Sequence, residues 1–152
     1  MKITRQAEAV WQSNVEGGEG RIQFGGAMDG RFDARSRLGD EAGTNPEALI
    51  AAAHAACYSQ ALSNALNEQG HEPQRVHTLA KVHLDHGQGV YAIPAIDLET
   101  QAVVPDIDDA TFQPIAEHVR RNCGVSKVLA GAVISLRARL VSPGHYRQSP
   151  TP

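Results

Sequence analysis

The segment from Thr44 to Leu66 constrains this chain most. Thr44-Asn45-Pro46-Glu47 is a strong helix start. Thr44 or Asn45 can cap, Pro46 suits the first turn, and Glu47 sits where the helix dipole favours a negative charge. No Gly or Pro follows before Gly70, and Ala51, Ala52, Ala53, Ala55 and Ala56 come nearly in a row. Small residues on all sides of a helix let neighbours approach closely. The pattern predicts a long, central, buried helix.

Shorter elements surround it. Ile3, Arg5, Ala7, Ala9 and Trp11 alternate with Thr4, Gln6, Glu8 and Gln12, which predicts a strand with one half-buried face. A turn at 16–20 leads to a second strand over 21–24. Residues 25–43 are rich in Gly, Asp and Arg and read as loop, with at most one short strand near Arg31–Ala34. Alternation over Val76–Leu84 and Ile96–Val104, with Gly87 and Gly89 between, predicts an antiparallel hairpin. Asp108 or Asp109 can cap a helix whose stripe is Phe112, Ile115, Ala116, Val119 and Cys123. Gly124 interrupts it, a short helix follows over 125–129, and Ala132–Val141 reads as a last strand. The order is that of an α+β fold, with helices packed on a largely antiparallel sheet.

The chain has 152 residues, 41% hydrophobic and 20% charged, values that suit one soluble domain over 1–142 with a flexible tail over 143–152. A chain of this size buries roughly 70% of the surface it exposes when unfolded, enough for a true core. Net charge is −3 and no Lys/Arg block occurs, which argues against a nucleic-acid partner. No apolar run approaches the roughly 20 residues of a membrane helix. The N-terminus, Met1 to Gln6, lacks the apolar core of a signal peptide, so a cytoplasmic location is expected.

Cys57 and Cys123 are the two cysteines. A reducing cytosol disfavours a static disulfide. The pair is then either two inert buried thiols or a working redox couple. Mid-helix, Cys57 gets no help from a helix N-terminus, so a thiolate there needs a cation from elsewhere. Arg35 and Arg37 are the candidates, and Glu47 can aim such a guanidinium through a bidentate pair. A metal site is disfavoured. His83 and Asp85 share a strand face, but His86 points away, and no Cys-x-x-Cys or His-Glu-x-x-His motif is present. His54, three residues before Cys57, reads as buried or at an interface.

The run Thr44-Asn45-Pro46-Glu47-Ala48-Leu49-Ile50-Ala51-Ala52-Ala53-His54-Ala55-Ala56-Cys57 closely resembles the hallmark segment of the OsmC/Ohr family. Asn122-Cys123-Gly124-Val125-Ser126-Lys127 is similar to that family's second cysteine motif, and Trp11 near the N-terminus fits as well. The resemblance runs from about residue 3 to 141. It implies an antiparallel sheet wrapped on the long helix and an intertwined homodimer with each active site at the interface. It implies that Cys57 is the peroxidatic cysteine, Cys123 the resolving one, and Glu47 the family glutamate. The family arginine falls at Arg37, preceded by Ser36 as in many relatives, with Arg35 as the alternative. Two positions depart from the pattern. Gly124 stands where relatives commonly carry Pro, and Leu38 follows Arg37 where an aromatic is usual.

The resemblance thus implies a thiol peroxidase. Arg37, oriented by Glu47, would hold Cys57 as thiolate. The sulfur would attack the peroxide and become a sulfenic acid. Cys123 would resolve it to a disulfide, which requires the two Cα atoms within roughly 7 Å. A dithiol reductant of the dihydrolipoyl type would restore both thiols. No cofactor and no metal are implied. Apolar surroundings at Leu49, Ile50 and Val125 favour organic hydroperoxides over hydrogen peroxide. The competing readings are a redox sensor that stalls after one oxidation and a small-molecule binding protein whose thiols are incidental.

Overall fold

The computed structural model describes residues 3–12, 17–24, 28–87 and 89–145. Its backbone forms two compact units, Met1–Leu49 and Ile50–Pro152. The expected tail lies, from residue 146 on, outside the described residues.

The first unit is built on three antiparallel strands in the order β1 (Ala7–Gln12), β2 (Glu19–Phe24) and β3 (Met28–Phe32). Trp11, Gly20 and Phe32 face one another across the three strands. A Cβ on Gly20 would lie 2.2 Å from the Phe32 ring. The missing side chain lets Phe32 lie over the β2 backbone and reach Trp11, with ring centroids 5.4 Å apart. Every residue of β1 is exposed, contrary to the half-buried face its alternation predicted. As an edge strand it has a neighbour on one side, and alternation alone does not supply a covering layer.

The stretch read as loop contains a helix, α1 (Ala34–Leu38). Asp33 accepts a hydrogen bond from the Ser36 backbone N–H at 2.7 Å, and the Ser36 hydroxyl accepts from the Asp33 N–H at 3.0 Å. This is a reciprocal capping box built from a polar pair. Five residues are too few to show a 3.6-residue period, which is why the sequence reads as loop.

Helix α2 (Pro46–Glu68) begins where expected. Asn45 is the cap, since its Oδ1 accepts from the Ala48 N–H at 2.8 Å. Gly70, at φ 83°, ends it, and the His71 N–H donates to the Leu66 carbonyl at 3.0 Å. In the second unit the helix buries one stripe, His54, Tyr58, Leu62 and Leu66, spaced four apart. Ala52, Ala53 and Ala56 are exposed, so close packing on all sides is not realised within the chain.

The second sheet runs β4 (Arg75–Gly87), β5 (Val90–Val103) and β6 (Val133–Leu140). The predicted hairpin is present and longer than its alternation suggested. Residues 85–87 and 90–95 continue the strands across a register shift next to Pro94. Proline has no N–H to give the ladder, so the extra residue on β5 is accommodated as a bulge. β6 pairs parallel to β5, a departure from the antiparallel expectation. The chain leaves β5 through α3 (Asp109–Asn122) and α4 (Gly124–Val128), and such a crossover returns a strand in the same direction. Asp108 caps α3 by accepting from the Thr111 N–H at 2.8 Å. Its stripe of Phe112, Ile115, Ala116 and Val119 joins Leu98 and Ala102 of β5 and Tyr58, Leu62 and Leu66 of α2 in one core.

Candidate active site

In the first unit, α1 ends with Arg37 turned towards the first turn of α2. Arg37 Nη2 donates to Glu47 Oε1 at 2.8 Å, and Nε donates to Oε2 at 3.1 Å. This is the bidentate fork that a guanidinium offers a carboxylate. Glu47 is buried, which removes the pair from much of the solvent screening that weakens surface ion pairs. Arg35 lies with Asp33 and Glu41 instead, its side chain 69% exposed. Of the two candidate arginines, Arg37 is therefore the one clamped by the glutamate.

Two residues that the sequence reading did not single out for this role set the clamp. Asn45 uses both ends of its amide. Oδ1 caps α2, while Nδ2 donates to the Ser36 carbonyl at 3.0 Å. The Ser36 hydroxyl lies 3.0 Å from the Thr44 carbonyl and donates to it. α1 is thereby tied to the residues that open α2. The Asn-Pro of the helix start was legible as a cap, but its second partner was not.

In the second unit, both cysteines are free thiols. Cys57 is partly exposed on α2 and packs against the core cluster that contains Cys123. Cys123 stands at the junction of α3 and α4, ending one and capping the other. Its Sγ accepts from the Ser126 N–H at 3.4 Å and lies 3.0 Å from Ser126 Oγ. Ser126 Oγ lies 2.8 Å from His54 Nε2. His54, Ser126 and Cys123 thus form a continuous buried chain of polar atoms from α2 to α4. Burial pushes the His54 imidazole below its ordinary value and so keeps it neutral. Next to Cys57, Tyr58 donates its hydroxyl to the Ala116 carbonyl at 3.0 Å. Burial, then the charges of Glu117 and Cys123, push the phenol above its ordinary value.

Among the described residues no three His, Cys, Asp or Glu converge as metal ligands. His83 faces Asp97 across the strands, with Nε2 2.6 Å from Oδ2, rather than Asp85. No described helix is long and apolar enough to cross a membrane.

Comparison with known proteins gives a consistent picture. The chain is 38% identical over 135 residues to peroxiredoxin OsmC of Escherichia coli (strain K12), covering 88% of this chain and 94% of that protein. It is 28% identical over 123 residues to the organic hydroperoxide resistance protein of Xanthomonas axonopodis pv. citri (strain 306), covering 77% and 83%. Its fold is similar to the crystal structure of the organic hydroperoxide resistance protein OhrB of Bacillus subtilis, with a TM-score of 0.69, 25% identity, and 88% and 98% of the two chains covered. A family model described as OsmC-like protein matches residues 39–137, the greater part of the chain. By that match and by its identity to peroxiredoxin OsmC, this chain belongs to the OsmC-like protein family.

Proposed function

We propose that this protein is a cysteine-based peroxidase that reduces organic hydroperoxides, and hydrogen peroxide more slowly. The observation that carries the reading is the pair of free thiols on one core, Cys57 partly open and Cys123 buried, in a chain related to a peroxiredoxin and to a hydroperoxide resistance protein. An exposed thiol can meet a peroxide, and a buried one is shielded from direct oxidation but available to a neighbouring sulfur.

In the proposed cycle the Cys57 thiolate attacks the outer peroxide oxygen. The O–O bond breaks, and the departing alkoxide takes a proton and leaves as alcohol. Cys57 is now a sulfenic acid. The Cys123 sulfur attacks it, the S–O bond breaks, water leaves, and a Cys57–Cys123 disulfide forms. A dithiol such as a dihydrolipoyl group reduces that disulfide and is itself oxidised. Arg37, aimed by Glu47, is the cation assigned to the thiolate and to the peroxide oxygens. Its support is the bidentate clamp, a geometry that fixes where a guanidinium points. A homodimer, as the family resemblance implies, is part of the proposal.

Mass spectrometry after one equivalent of cumene hydroperoxide tests the chemistry. The expected product is a single disulfide linking Cys57 and Cys123, and a trapped sulfenic acid on Cys57 in Cys123→Ser. Oxidation at Cys123 with Cys57 unchanged contradicts the assignment.

A further inference from the structure

One buried titratable group has no part in this cycle. His54 is wholly inaccessible to solvent, and its Nδ1 has no hydrogen-bond partner among the described residues. Its Nε2 lies 2.8 Å from Ser126 Oγ. A neutral imidazole carries one N–H. On Nδ1 that hydrogen would be a buried donor with nothing to accept it, the rarest and costliest kind of unsatisfied group. On Nε2 it meets Ser126 Oγ. The bare Nδ1 therefore selects the tautomer in which His54 donates.

The consequence runs down the chain of atoms. With Nε2–H donating to Ser126 Oγ, the serine hydroxyl hydrogen is directed elsewhere. Cys123 Sγ, at 3.0 Å, is its acceptor. The Ser126 backbone N–H points at the same sulfur from 3.4 Å. Two donors thus converge on Cys123, and the direction is His54 to Ser126 to Cys123. Donors aimed at a sulfur favour its anionic form, which is the nucleophile.

We propose that Ser126 is a catalytic residue of the resolving step, holding the Cys123 sulfur as the attacking thiolate, and that His54 is a positioning residue that orients the Ser126 hydroxyl for that task. This rests on the resolving role proposed for Cys123. The Cys123 thiolate attacks the Cys57 sulfenic sulfur, the S–S bond forms as the S–O bond breaks, and the departing hydroxide takes up one proton to leave as water. The thiol proton given up by Cys123 balances it. Of the groups facing this end of the core, Tyr58 of α2 feels the charges of Glu117, Cys123 and Arg120. Tyr58 is committed to the Ala116 carbonyl, and Glu117 pairs with Arg120. His54 and Ser126 are left as the adjustable groups.

Rapid-mixing kinetics on the full chain separate the two steps. Ser126→Ala is expected to form the Cys57 sulfenic acid at the wild-type rate. Its disulfide closure at neutral pH should slow on the order of 10- to 100-fold, the effect of one hydrogen bond to a charged acceptor. His54→Gln offers an amide N–H near the same place and should close close to the wild-type rate, while His54→Leu should resemble Ser126→Ala. Wild-type closure in Ser126→Ala, or equal slowing in His54→Gln and His54→Leu, overturns the proposal, because a packing defect does the latter. Diamide separates this from the peroxidase reading. It adds to one thiol and is displaced by the second, so it drives closure without a peroxide. If peroxide is inert but diamide closes Ser126→Ala more slowly than wild type, the peroxidase reading falls and the network stands. If diamide closes both alike, the network falls.

Discussion

Removing the Tyr58 hydroxyl isolates one buried hydrogen bond next to Cys57. Tyr58 is fully buried and donates to the Ala116 carbonyl at 3.0 Å, joining α2 to α3. Ala116 lies inside α3, so its carbonyl also has the helical partner four residues on. Tyr58→Phe therefore removes a bond without stranding the acceptor. The expected cost is the net value of an intramolecular hydrogen bond, about 0.5–1.5 kcal/mol, rather than the larger penalty of an orphaned group. For a chain of this length that is roughly 2–4 °C in Tm per kcal/mol. Tyr58→Ala also empties the space of the ring and should cost about 3–5 kcal/mol. Urea titrations read both, with the midpoint shifting and the slope unchanged. The phenol adds a pH signature. Its folded value is raised, so its stabilisation is complete below the unfolded value of about 10 and is lost as the pH climbs above it. The difference between wild type and Tyr58→Phe should be flat from pH 7 to 9 and shrink in stronger alkali. A loss of about 3 kcal/mol in Tyr58→Phe, or no loss at all, refutes the reasoning.

Other perturbations give equally definite outcomes. Glu47→Gln should leave Arg37 with a weaker, neutral partner and lower peroxide turnover on the order of 10-fold or more, read by steady-state kinetics. His54 is held neutral by burial, so its folded value lies below the unfolded one of about 6.5. Stability should be fully present above pH 6.5 and fall as pH drops towards the folded value, with a slope of up to about 1.4 kcal/mol per pH unit. His54→Gln should flatten denaturation curves over that window. Gly124 is the first residue of α4, a Cβ built there meets nothing within 4 Å among the described residues beyond its own chain neighbours and helix backbone, and Cys123 before it has φ −62° and ψ 146°. That backbone already suits a residue preceding proline. Gly124→Pro should stabilise the chain by about 0.4–1 kcal/mol in thermal unfolding.

Much of this was legible because it is local. The start of α2, the cap at Asp108, the α3 stripe and the β4–β5 alternation are each written within a dozen residues, and each appears in the structure. Features that depend on distant partners were not legible. β6 pairs parallel to β5 because of where the crossover returns it, and no local period carries that. α1 was missed because its signal is two polar residues, Asp33 and Ser36, in a segment too short for a period. A bidentate pair between Glu47 and an arginine before α2 was legible from the residue types, the resemblance pointed to Arg37 over Arg35, and the structure pairs Arg37 with Glu47. Ser126 was present as part of the second cysteine motif. Its partner His54 lies 72 positions away, so only the fold joins them.

Peroxide turnover decides whether the thiols do the work assigned to them. Consumption of cumene hydroperoxide and hydrogen peroxide, with dihydrolipoamide as reductant, should be repeated and catalytic in wild type and absent in Cys57→Ser, with cumene hydroperoxide the faster substrate. If wild type consumes about one equivalent and stops, or consumes none while both thiols stay reduced, Cys57 and Cys123 are not a peroxidase pair.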